Sequence, residues 1–155
     1  MKLLELVFDE NLISTQLEAS DNYDAMEKLG NILYTKGYVK DTFIDAVIER
    51  EKEYPTGIQG AEFNIAIPHV DNCHVKKPGI AIGVLKENVL FSRMDDPNKE
   101  LDVKVIFLLA IKTPEYHLEA LKEIMNLVQN AKAMNEICQC KNSKEIIKII
   151  KREGE

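Results

Sequence analysis

The chain has no tryptophan, three cysteines and three histidines, and only seven glycines and five prolines among 155 residues. Each scarcity removes a class of protein. Cys73, Cys138 and Cys140 are an odd and sparse set. They do not make a disulfide framework and point to free thiols in a reducing compartment, so the cytoplasm is the expected location. The glycines and prolines are scattered, with no repeat, no low-complexity tract and no Ser/Gly linker. None of the glycines falls in a phosphate-binding loop, a dinucleotide fingerprint or a nucleophile elbow. Long apolar runs are also missing. The longest, Val105–Ile111 "VIFLLAI", is far short of the ~20 residues a membrane helix needs, so no membrane insertion is expected. The opening "MKLLELVFDENL" reaches Glu5 before a long apolar region forms and is read as no signal peptide. Basic charge is in deficit, with 20 Lys and Arg against 26 Asp and Glu, for a net charge of −6. Nucleic-acid binders usually carry a basic face, so no nucleic-acid partner is expected. The one dense basic run, Lys144–Arg152, also holds Glu145 and reads as a solvated helix face.

What is present fits one globular domain spanning residues 1–155. Alternating apolar residues at Leu4, Leu6 and Phe8, then Leu12 and Ile13, suggest a first strand and a turn. Ala25, Met26, Leu29, Ile32 and Leu33 recur at helical spacing, with Ser20 or Asp21 to cap the start and Gly37 to end it. A second helix follows, with Asp41 at its N-cap and Phe43, Ile44, Val47 and Ile48 as its stripe. "YPTGIQG" then breaks the pattern. Ile65–Ile67 reads as a short strand, Ile80–Leu85 as a longer one with Val89–Phe91 as its hairpin partner, and Val103–Ile111 as a strand buried on both faces. After a Thr113 cap and Pro114, the residues Leu118, Leu121, Ile124, Met125 and Val128 mark a helix. A short helix around Met134–Cys138 and a last one over Ser143–Arg152 close the chain. Strands in the middle with helices before and after give an α/β or α+β sandwich.

Three side chains carry candidate chemistry. His69 ends "NIAIPH", behind a proline that stops sheet pairing and stiffens the approach. It is either a strand-ending histidine bonded to a loop carbonyl or a reactive imidazole at a strand end, where ligands of α/β folds bind. His117 lies in the first turn of its helix, with Leu121 and Ile124 on the same side. It is either a satisfied core residue or a partner of His69. Arg50 is the only arginine before Arg93. It either complements a helix dipole or offers its planar fork to a phosphoryl group. His69, Asp71, Cys73 and His74 lie close in sequence, but their spacing fits no standard zinc motif and no metal is expected. A small metal- or ligand-binding protein using His69 and His74 is the rival of another class. Cys73 as a nucleophile beside a histidine rests on sequence adjacency alone.

"IAIPH" at Ile65–His69 resembles the active-site signature of the fructose/mannitol-type (type 2) EIIA domains of the bacterial sugar phosphotransferase system. Three more segments fall in the family's order: "REKEYPTGI" from Arg50, "HVKKPGIAIGVLKENVLF" from His74, and "VKVIFLLAIKTPEYHLEAL" from Val103. The resemblance runs from about Leu4 to Lys151 and is most similar to the galactitol-type branch. Val70, where the family often has Gly, Ala or Cys, and Glu62, where it often has a small residue, depart from the pattern. The resemblance implies an α/β single domain with a mixed central β-sheet flanked by helices. It implies that His69 takes a phosphoryl group from phospho-HPr and passes it to EIIB for sugar uptake, galactitol on the branch resemblance. Arg50 would stabilise phosphoryl charge, His117 would bond to the phosphoryl group or orient His69, and Thr56 is a candidate hydroxyl contact. No cofactor is implied. A free, nitrogen-type regulatory EIIA sensed by its phosphorylation state is the alternative. The length is read as leaving no room for a fused DNA-binding domain.

Overall fold

The computed structural model describes residues 8–153. A short 3-10 turn, Glu10–Leu12, leads into β1 (Ile13–Leu17), then α1 (Asn22–Thr35) and α2 (Phe43–Glu53). Two short strands follow, β2 (Gly57–Ile58) and β3 (Asn64–Ala66), then a 3-10 turn at Asn72–His74 and the long strands β4 (Gly79–Ser92) and β5 (Glu100–Ala110). Three helices end the chain: α3 (Pro114–Val128), α4 (Ala131–Gln139) and α5 (Ser143–Glu153).

The five strands form one mixed sheet in the order β1-β4-β5-β3-β2. β1 runs parallel to β4, β4 antiparallel to β5, β5 parallel to β3, and β3 antiparallel to β2. Successive strand side chains point to opposite faces, and β5 divides its apolar run accordingly. Val105, Phe107 and Leu109 pack with Ile124, Val128, Met134 and Ile146 of α3, α4 and α5. Ile106, Leu108 and Ala110 pack with Met26, Leu29, Phe43 and Val47 of α1 and α2. Six of the seven apolar residues in a row, Val105 to Ala110, are therefore a two-sided core strand, with Ile111 just past its end, and the domain is a three-layer α/β sandwich. Burial of each large aliphatic or aromatic side chain contributes ~1.5–3 kcal/mol. Phe107 and Ile106, on opposite faces, are both fully buried.

Several local expectations meet their structure directly. Asp21 caps α1 by accepting the Asp24 N–H at 2.8 Å. Gly37 takes φ 84°, a left-handed conformation that glycine adopts without a Cβ penalty, just past the end of α1. Pro114 sits in the first turn of α3. The basic side chains of Lys144–Arg152 are exposed along α5, as a solvated face requires.

Other expectations are corrected. Leu4 and Leu6 lie outside the described residues, and the first described strand starts at Ile13. Thr42, not Asp41, occupies the N-cap of α2, and its side chain makes no capping bond. Val89–Phe91 is not a hairpin partner of Ile80–Leu85. Both belong to β4, which continues through the exposed Lys86–Asn88 stretch, and both pair with β5. An irregular register between Val84 and Val89 lets the strand pass polar residues without turning. On α3 the buried stripe is Ala120, Ile124, Leu127 and Val128, while Leu118 is 71% exposed.

Candidate active site

β3 and β5 are parallel neighbours, so their carboxyl ends leave the sheet along the same edge. The chain after β3 carries His69, and the chain after β5 carries His117 in the first turn of α3. The chain after β3 is tied both to the end of β5 and to the loop that follows it. The Leu109 N–H donates to the Pro68 carbonyl at 3.0 Å, and the Asn72 side-chain amide donates to the Lys112 carbonyl at 2.9 Å. The imidazoles of His69 and His117 consequently meet edge to face, with ring centroids 4.8 Å apart and planes at 63°.

A cleft of about 500 Å³ opens at this edge, lined by Arg50, His69, Asn72, Lys112, Thr113 and His117 among others. Arg50 reaches it from the last turn of α2. Its guanidinium lies 5.2 Å from the Tyr54 ring centroid, a cation–π stack that limits its rotamers. Its Nε is buried and makes no hydrogen bond among the described residues. A buried unpaired donor is costly and rare, and one lining a cleft is a donor available to an anion. The N-terminus of α3 adds the positive end of a helix dipole to the same cleft. A larger cavity of about 600 Å³ lies along α3 and α5, lined by Leu118, Ile150, Glu115, Glu119 and Glu153. It holds no histidine or arginine, so we place the candidate chemistry in the smaller cleft.

His69 is positioned by its own backbone. Its Nδ1 lies 2.7 Å from the Ile67 carbonyl oxygen. A carbonyl only accepts, so Nδ1 carries the proton and Nε2 keeps the lone pair. Burial holds the His69 pKa below the ordinary 6.5, partly offset by the Ile67 hydrogen bond and reinforced by the nearby Arg50 charge. His117 is also held below 6.5, by burial first and then by His69 and Arg50. Both rings are thus neutral at neutral pH. In the folded state these histidines resist protonation more than in the unfolded chain. Their contribution to stability is therefore complete above pH 6.5 and is lost as pH falls through the lower folded values. An NMR titration of the ring protons is expected to place both midpoints below 6.5; a midpoint at or above 6.5 for His69 would contradict the burial described.

Thr56 does not line the cleft. It is 3% exposed, and its hydroxyl donates to Glu51 Oε1 at 2.8 Å while accepting the Ile67 N–H at 3.2 Å. The Thr56 N–H donates to Glu51 Oε2 at 2.8 Å. Glu51 is itself only 5% exposed. Burial raises its pKa from 4.5 to about 7, with the two Thr56 bonds and the Arg50 charge opposing the rise. Sequence reading passed over Glu51, although a signal was there: Phe43, Val47 and Glu51 follow at four-residue steps, which puts a carboxylate on the buried stripe of α2. His74 is outside the cleft lining and bonds through Nδ1 to the Thr42 hydroxyl at 2.8 Å. Among the described residues, no group of three or more His, Cys, Asp or Glu side chains is placed to hold a metal ion. Cys73 is exposed on the cleft rim. Val70, half-buried, lines the cleft and packs against the core layer of α1 and α2.

Residues 6–153 match the family described as "Phosphoenolpyruvate-dependent sugar phosphotransferase system, EIIA 2". Among curated proteins, the galactitol-specific EIIA component of Escherichia coli (strain K12) is 33% identical over 109 residues, which are 70% of this chain and 72% of that protein. Two solved structures share the fold. IIA mannitol from Escherichia coli superposes with a TM-score of 0.75 at 22% identity, covering 91% of this chain and 96% of the other. The complex of enzyme IIAMTL with phosphorylated enzyme IIBMTL, also from Escherichia coli, gives a TM-score of 0.78 at 21% identity, covering 94% and 99%.

Proposed function

The chain belongs to the EIIA 2 family of the phosphoenolpyruvate-dependent sugar phosphotransferase system, and from that premise we propose that His69 is its phosphoryl-accepting residue, through Nε2. It is a phosphotransferase of the carrier kind. Phospho-HPr is the donor and an EIIB protein the acceptor, and residues 1–155 work as one EIIA domain in the cytoplasm. Among the described residues, no helix is long and apolar enough to cross a membrane.

The observation that carries this reading is the 2.7 Å contact between His69 Nδ1 and the Ile67 carbonyl, on a ring that lines a cleft shared with Arg50 and His117. The Nε2 lone pair attacks the phosphorus of phospho-HPr. The donor's P–N bond breaks, and its electron pair returns to the donor ring. The proton on His69 Nδ1 stays where it is, bonded to Ile67. The ring, neutral before attack, therefore becomes cationic on phosphorylation and labile, ready to pass the group on to EIIB. Transfer of this kind asks for alignment and charge neutralisation rather than a new covalent chemistry. Arg50 supplies both: its Nε and terminal nitrogens donate to the equatorial phosphoryl oxygens. Lys112 adds a second cation at the rim. His117 donates to the phosphoryl group from the facing ring and holds the His69 plane.

The galactitol system is the sugar pathway we infer, supported by the 33% identity to a galactitol-specific EIIA component. One assay tests both levels. Incubation with phosphoenolpyruvate, enzyme I and HPr is expected to load about one acid-labile phosphoryl group per chain. The loaded chain should discharge onto a galactitol EIIB faster than onto mannitol or fructose EIIB. Absence of loading overturns the carrier assignment; equal discharge overturns the sugar.

A further inference from the structure

We propose that Glu51, acting through Thr56, is a positioning residue that sets the orientation and tautomer of the phosphoryl-accepting His69. The inference rests on the proposed role of His69 and deepens it.

The connection is continuous. Glu51 follows Arg50 directly in the last turn of α2. Its two carboxylate oxygens receive the N–H and the hydroxyl of Thr56, each at 2.8 Å. Thr56 in turn receives the Ile67 N–H on its hydroxyl oxygen at 3.2 Å and on its carbonyl oxygen at 3.3 Å. Ile67 then presents its own carbonyl to His69 Nδ1. On the other side of Ile67, the next carbonyl, that of Pro68, is held by the Leu109 N–H. The dipeptide before His69 is therefore clamped at both ends, once to β5 and once to Glu51. Proline at position 68 fixes one more dihedral between the clamp and the imidazole.

Two consequences follow from the bonding. The Ile67 carbonyl is what favours the proton on Nδ1, and a carbonyl that drifts leaves the ring free to carry it on Nε2, where it blocks attack. The same carboxylate also fastens the strand that carries His69 to the helix that carries Arg50. Glu51 thus fixes the separation between the nucleophile and the cation that neutralises the transferred group. A buried carboxylate without a direct salt bridge is expensive to keep. An apolar residue on the buried stripe after Phe43 and Val47 would serve packing alone, and would not hold Thr56.

The test uses the full chain and the variants Thr56→Val, Thr56→Ser and Glu51→Gln. Nitrogen-15 NMR of His69 in the unphosphorylated protein reads the tautomer. Stopped single-turnover transfer from phospho-HPr reads the rate constant and the apparent donor affinity. Thr56→Val and Glu51→Gln are expected to raise the Nε2–H population and to slow transfer about 10–100-fold, the scale of a small misplacement of reacting groups. Donor affinity should stay unchanged, and Thr56→Ser, which keeps the hydroxyl, should restore both readouts. Unchanged His69 shifts in folded Glu51→Gln, with or without slower transfer, would overturn the proposal. If Thr56→Val does not fold, Glu51→Gln, which keeps the side-chain shape, decides alone. The nitrogen shifts need no donor, so a wild-type chain that fails to load would sink the role of His69 while leaving the clamp separately readable.

Discussion

His69→Ala is expected to take up no phosphoryl group from phospho-HPr while keeping the wild-type fold. The loss should be complete because no other group in the cleft combines a free ring nitrogen with the Ile67 bond that prepares it. His117 is the other imidazole there, but its ring meets His69 edge to face from the α3 side. The fold should survive because His69 lies beyond β3, in the loop after Pro68, and none of its atoms joins the sheet ladder. The measurement is incorporation of acid-labile label at saturating donor, beside a thermal melt. Full stoichiometry in the variant would remove His69 from the mechanism.

Arg50→Ala is expected to slow single-turnover transfer ~10–1000-fold, the scale of losing one preorganised donor to developing charge. The substitution deletes the buried, unpaired Nε together with the terminal nitrogens. It also deletes the stack on Tyr54, worth ~0.5–1 kcal/mol at a partly exposed site. The effect on the rate should therefore far exceed the effect on the melt. Arg50→Lys should recover only part of the rate, because an ammonium lacks the planar fork. An unchanged rate in Arg50→Ala would mean that Arg50 serves α2 as a terminal cation and nothing more.

The layers of this fold were legible wherever one face of an element meets one core. The α1 stripe of Ala25, Met26, Leu29 and Leu33 is buried as its spacing requires. The run at the end of β5 reads as two-sided because it is. Reading failed where a local signal was overruled by pairing. Lys86, Glu87 and Asn88 look like a turn, yet β5 supplies partners on both sides of them and Lys86 finds Glu18 at 3.2 Å, so β4 runs on. Leu118 looks like stripe but falls one position off the face that Ala120, Ile124 and Leu127 define.

At the site, His69, His117 and Arg50 were nameable from sequence because each has a distinctive side chain near a break in periodicity, and the fold brings all three to one cleft. Thr56 was named for its hydroxyl, and the fold turns that hydroxyl inward to Glu51 instead. No pattern of single residues announces a bond between a helix end and a loop five residues on. Only the misplaced charge of Glu51 on an apolar stripe hinted at it. Which nitrogen of His69 keeps its lone pair was likewise invisible until the Ile67 carbonyl fixed the proton on the other one.

The most direct test of the central claim is nitrogen-15 and phosphorus-31 NMR of the histidine-labelled chain after loading from phospho-HPr. The account predicts one phosphoryl group, coupled to Nε2 of His69, with the Nδ1 proton retained. A phosphoryl group on Nδ1 of His69, or on any other residue, would contradict it.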